Sequence, residues 1–136
     1  MANNKIEEVE GIGSVKGAQL REAGIATTDA LLESCTTPSM RKKLAEKSGL
    51  SEKEILKFAN MVDLFRINGV GSEYAELLEA AGVDTVPELA QRNVQNLTAA
   101  MEKVNAEKKL VRRVPVEKEV AKWVEEAKTL PRVLTY

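Results

Sequence analysis

The sequence predicts an all-α fold: two repeats packed as one helical domain, with a short extended C-terminal tail. Three observations predict it. First, Glu10-Gly11-Ile12-Gly13-Ser14 returns 58 positions later as Asn68-Gly69-Val70-Gly71-Ser72, and Leu20, Ala23, Gly24, Ile25, Thr27 and Leu31 fall opposite Leu78, Ala81, Gly82, Val83, Thr85 and Leu89. Second, helix-start and helix-stop residues are dense along the chain. Third, 43% of residues are apolar but only 4% aromatic, so the core is expected to be Leu, Val, Ile and Ala, as in helical bundles.

The elements follow in order. The two repeats are expected at residues 1–63 and 64–136. In the first, Gly13-Ser14 opens a helix, with Ser14 where a capping side chain belongs, and Gly24 stops it. Thr27 caps a short helix through Glu33. Thr37 followed by Pro38 is a cap with a first-turn proline, and that helix stops at Gly49. Ser51-Glu52-Lys53-Glu54 reads as a capping box and opens the longest helix, to about Arg66. That helix carries apolar residues on more than one face, so burial on more than one side is expected.

The second repeat has the same plan. Ser72 opens a helix stopped by Gly82, Thr85-Val86-Pro87-Glu88 reads as another capping box, and Asn93 caps a helix to about Val104. The last helix runs from Glu117 to about Thr129. Its start lacks a cap, because Val116 stands where the first repeat has Ser51. Here the offset has grown to 65: Glu52-Lys53-Glu54-Ile55 answers Glu117-Lys118-Glu119-Val120, and Lys57-Phe58 answers Lys122-Trp123. Seven residues are therefore inserted between Gln91 and Val116. Leu110–Val114 and Arg132–Tyr136 alternate and are rich in β-branched residues. They are expected to be extended and able to pair.

Composition excludes several functions. The formal charge is −1 and the pI about 5.7, against the basic balance of a strong nucleic-acid binder. With no histidine and one cysteine, Cys35, the chain lacks the usual general base and the ligands of a zinc site. No Gly-Lys-Ser/Thr follows either Gly-x-Gly, so a nucleotide P-loop is not supported. No enzyme, cofactor or metal is expected. Met1-Ala2-Asn3-Asn4 leads into no apolar run, and no stretch approaches the roughly 20 residues of a membrane span. A cytoplasmic protein is expected.

Val9 through Leu20, and Ile67 through Leu78, resemble the hairpin of helix-hairpin-helix domains, which hold DNA backbone in many repair and replication proteins. Leu64-Phe65-Arg66-Ile67 leads into the second turn, and Lys109-Leu110-Val111-Arg112-Arg113 comes late in the chain. The doubled arrangement resembles a family of small tandem helix-hairpin-helix proteins known only as a domain of unknown function. The likeness covers nearly the whole chain.

Two binding functions remain open. In the first, DNA or RNA backbone is held weakly and without regard to sequence. The contacts are N–H groups of Gly11, Ile12, Gly13 and Ser14 with Lys16, the matching Gly69, Gly71 and Ser72, and the basic Lys108, Lys109, Arg112 and Arg113. Glu73 departs from the basic or polar residue usual after the second glycine of DNA-binding hairpins. In the second, Glu73, Glu76 and Glu79, three apart and so on one helix face, select a basic protein partner. Phe58 and Trp123 are expected in the core.

Overall fold

The structure, a computed structural model, describes residues 3–136. Among the described residues it has eight α-helices and no strand: α1 (Gly13–Glu22), α2 (Thr28–Glu33), α3 (Pro38–Ser48), α4 (Glu52–Leu64), α5 (Ser72–Ala80), α6 (Val86–Ala90), α7 (Val94–Lys108) and α8 (Glu117–Thr129). The chain forms two compact units. One holds the residues up to Asp63 together with Val133–Tyr136, and the other holds Leu64–Arg132.

The first unit opens with a 3-10 turn, Ile6–Glu8, that packs on α1. Gly17 makes this approach possible: a Cβ there would lie 2.6 Å from Glu7 Oε2. Glu7 grips Arg21 with two hydrogen bonds, both 2.7 Å. The Arg21 hydrogen bonds, helped by Glu7's own backbone N–H, hold the carboxyl at about 2, below its ordinary 4.5. A carboxyl depressed by folding stabilises the fold above its unfolded value, and that contribution is lost as pH falls through the folded value. Arg21→Met should therefore flatten the acid limb of a Tm-against-pH curve between about 4.5 and about 2. Melts showing the same slope in parent and variant would rule the pair out as a source of acid sensitivity.

Local chemistry explains the helix boundaries here. Thr27 Oγ1 accepts from Ala30 N–H at 3.2 Å, and Thr37 Oγ1 from Met40 N–H at 3.2 Å. The capping box at α4 is complete, with Glu54 N–H on Ser51 Oγ at 3.1 Å and Ser51 N–H on Glu54 Oε1 at 3.3 Å. α4 buries Ile55, Phe58, Ala59, Met61 and Val62, more than one face can carry alone.

In the second unit α8 packs on α6 and α7, and α5 on α7. Val86, which opens α6, lies 58 residues after Thr28, which opens α2, while α8 begins and ends 65 residues after α4. Val116 has no side-chain acceptor to offer the start of α8. Its own N–H is nonetheless met by the Glu119 carboxylate at 3.2 Å, which is half of a capping box.

Several expectations are corrected. Ser14 and Ser72 are not caps: α1 already begins at Gly13 and α5 at Ser72, and the cap positions belong to Ile12 and Gly71, which make no side-chain cap bond. A capping side chain must leave an extended residue ahead of the helix, and both serines lie inside the first turn. Thr85 makes no cap bond either, and its hydroxyl donates to Glu88 Oε1 at 3.3 Å. α7 is longer than expected and ends where Lys109 turns left-handed, at φ 52°.

Neither Leu110–Val114 nor Arg132–Tyr136 is a strand, and backbone groups of each bond within their own unit. The side-chain amide of Asn105 takes both sides of Val111, donating to its carbonyl at 3.1 Å and accepting its N–H at 2.9 Å. The tail bonds within the first unit. Thr135 N–H donates to the Thr36 carbonyl at 2.8 Å, and the Tyr136 hydroxyl meets Asn60 Oδ1 at 2.8 Å. Arg41, buried, donates to the carbonyls of Cys35 and Thr135, each at 2.8 Å.

Candidate nucleic-acid interface

Each glycine turn is built from the inside. In the first, Ile12 N–H bonds the Val9 carbonyl at 3.1 Å, and in the second Val70 N–H bonds the Ile67 carbonyl at 3.1 Å. Both reversals need a left-handed residue, supplied by Gly11 at φ 92° and Gly69 at φ 88°. The side chains of Ile12 and Val70 are buried and pin the turns to their units. Ile12 thus anchors the turn, and its N–H, expected to meet phosphate, is already bonded within the protein.

Behind each turn stands an aromatic ring from the last helix of that unit. A Cβ on Gly11 would lie 3.5 Å from the Phe58 ring, and one on Gly69 would lie 3.4 Å from Trp123 Nε1. Over each ring sits the residue at the next matched position. Lys16 Nζ is 5.7 Å from the Phe58 centroid, and the Tyr74 ring is 5.3 Å from that of Trp123, tilted by 54°. Both aromatics are buried, so neither can stack on a base.

Outward of the turns lie the first residues of α1 and α5. A helix start has no preceding turn to accept its first N–H groups, and the helix dipole makes that end favourable to an anion. Gly13, Ser14 and Gly71 are exposed and Ser72 is half-buried. The two starts differ in side chains. Val15 is 74% exposed after the first turn, whereas the acidic Glu73 follows the second.

Both expected cations nearest the turns are already paired. Lys16 Nζ lies 2.8 Å from Glu54 Oε2. Arg113 grips Glu119 with bonds of 2.8 and 3.0 Å, and its carbonyl accepts the Tyr74 hydroxyl at 3.0 Å. That last bond brings the basic segment to the second glycine turn, a juxtaposition the sequence did not suggest. Tyr74 stands where the first unit has Lys16, and Arg113 from the insertion supplies the missing partner for the glutamate. The bond to Lys16 first, then the N–H of Ser51, lowers the Glu54 carboxyl, while Arg113 first, then the N–H of Val116, lowers Glu119. The capping role of Glu54 was expected, but the ion pairs of Glu54 and Glu119 and the part played by Tyr74 escaped sequence reasoning. The 65-residue offset pairing the two glutamates was the available signal.

The remaining predicted residues divide. Lys108, Lys109 and Arg112 are exposed. Glu73 is exposed, but Glu76 and Glu79 are half-buried and engaged with other groups of the protein, so the three do not form a uniform acidic face. Cys35 is fully buried, which pushes its thiol up to about 12 and leaves it protonated and unreactive at neutral pH.

Among the described residues, no group of three His, Cys, Asp or Glu side chains could hold a metal ion, and no helix is long and apolar enough to cross a membrane. Neither the curated proteins nor the solved structures contain a match to the chain. A family model does match, over residues 10–130, and so the chain belongs to the family described as Domain of unknown function (DUF4332).

Proposed function

We propose that each unit is a helix-hairpin-helix module and that the protein is a non-enzymatic binder of nucleic-acid backbone. One observation carries this reading. A left-handed glycine turn occurs twice, is backed by a buried aromatic each time, and opens each time onto a helix whose first N–H groups have no turn before them. Such amides suit phosphate oxygens. In the first unit the contacts are the amides of Gly13 and Ser14, with Lys16 beside them. In the second they are the amides at Gly71 and Ser72, with Lys108, Lys109, Arg112 and Arg113. Amides and flexible cations touch phosphates and not base edges, so binding is independent of sequence. On a body of net charge −1 it is also weak, in the range of about 10⁻⁴–10⁻⁶ M at physiological salt. The alternative, a basic protein partner on Glu73, Glu76 and Glu79, has less support because only Glu73 is exposed.

Fluorescence anisotropy with labelled single- and double-stranded DNA and RNA oligonucleotides at low salt tests the proposal. The parent should bind, and Glu73→Lys should bind more tightly by replacing the charge that faces incoming phosphate. If neither binds any oligonucleotide at low salt, the nucleic-acid reading fails and a basic protein partner takes its place.

A further inference from the structure

We infer that Glu54 and Glu119 set the affinity of the two hairpins for phosphate, each by occupying the cation that its hairpin would otherwise present. The inference rests on the nucleic-acid reading above and names what regulates it. Each glutamate is the third residue of its unit's last helix, and each accepts both a backbone N–H and a cation. Glu54 takes Ser51 N–H at 3.3 Å and Lys16 Nζ at 2.8 Å. Glu119 takes Val116 N–H at 3.2 Å and the Arg113 guanidinium at 2.8 and 3.0 Å. A backbone N–H together with a cation is the donor set a phosphate oxygen would find at the same hairpin.

The two units reach this arrangement with different cations. Lys16 belongs to the helix that the hairpin opens, and Arg113 to the inserted segment held by Tyr74. The glutamate is the part they share. Incoming phosphate therefore competes with an internal carboxylate at each hairpin. These pairs are well exposed, with Lys16 at 39% and Arg113 at 63%, so the competition is reversible and modest.

The test uses the full chain and an anisotropy titration of a labelled duplex at several salt concentrations. Glu54→Gln keeps an acceptor for Ser51 N–H and releases Lys16. It should tighten binding by up to about fivefold, the fold-change an exposed ion pair represents. It should also steepen the log–log salt slope by up to about 0.9, one further counterion released. Glu119→Gln should act likewise through Arg113. Glu52→Gln and Glu117→Gln remove the same charge from the same helices without freeing either cation, and should change affinity less than about twofold with no change in slope. In a Lys16→Met background, Glu54→Gln should bring no gain. Equal gains from Glu52→Gln and Glu54→Gln, or a gain that survives Lys16→Met, would overturn the inference while leaving the binding reading intact. If parent and variants alike fail to bind, both fall. A thermal melt of each variant checks that it is folded.

Discussion

Phe58→Ala and Trp123→Ala should each cost about 3–5 kcal/mol of folding stability, the usual loss when a buried aromatic is cut to Ala. The two rings are 2% and 4% exposed. Each fills the space beneath a glycine turn and supports one further side chain, Lys16 or Tyr74. Truncation therefore leaves a cavity and removes the floor of the turn together. Denaturant titration should show the midpoint falling in both variants. Amide exchange should show the second effect, with Trp123→Ala raising exchange at 69–72 beyond its effect elsewhere in its unit. A loss below about 1 kcal/mol for either residue is the behaviour of a surface position and would contradict its place in the core.

On the nucleic-acid reading proposed above, raising salt from about 50 to 200 mM should weaken duplex binding by about two orders of magnitude. The basic segment offers Lys108, Lys109, Arg112 and Arg113. Four neutralised phosphates give a log–log slope of about −3.6, and three give about −2.7. Arg113 is already paired with Glu119, which places the segment's own contribution between those values. Replacing Lys108, Lys109 and Arg112 together by Ala should flatten the slope by about 2.7. Arg113 is best left in place, because its carbonyl and guanidinium also hold Tyr74 and Glu119. A slope unchanged by the triple substitution would show that the segment does not touch phosphate and would leave Lys16 and the amides of the glycine turns as the contacts. Amides add geometry without releasing counterions, so on their own they predict binding that is nearly indifferent to salt.

Much of the secondary structure is legible in the sequence. Thr27, Thr37, Ser51 and Asn93 cap the helices they were expected to cap, and Gly49 stops α3 in the left-handed conformation. These features are local, since a cap or a stop is decided within about four residues by one side chain and one backbone angle. Misreadings arose where two local rules overlapped. Glycine and serine both suit a helix start, and at residues 13–14 and 71–72 the helix begins too early for the serine to cap it. At Thr85 the hydroxyl could donate or accept, and in the structure it donates to Glu88.

The candidate interface was only half legible. The glycines, their 58-residue offset and the surplus of basic residues in the insertion are properties of the string itself. By itself the sequence determined that the chain is helical, where most helices start and stop, and that one turn is used twice. Tertiary structure alone decided what the charged and extended residues do. Lys16 finds Glu54, Arg113 finds Glu119 and carries the basic segment to Tyr74, and the tail finds Thr36 and Arg41. The Tyr74–Arg113 pair is separated by 39 residues and the Thr36–Thr135 pair by 99. The physical reason is range. Capping and turn geometry are fixed by neighbours along the chain, whereas an ion pair or a docked tail depends on which distant surfaces packing brings together. Several carboxylates and carbonyls can satisfy the same donor, and only the folded arrangement selects one.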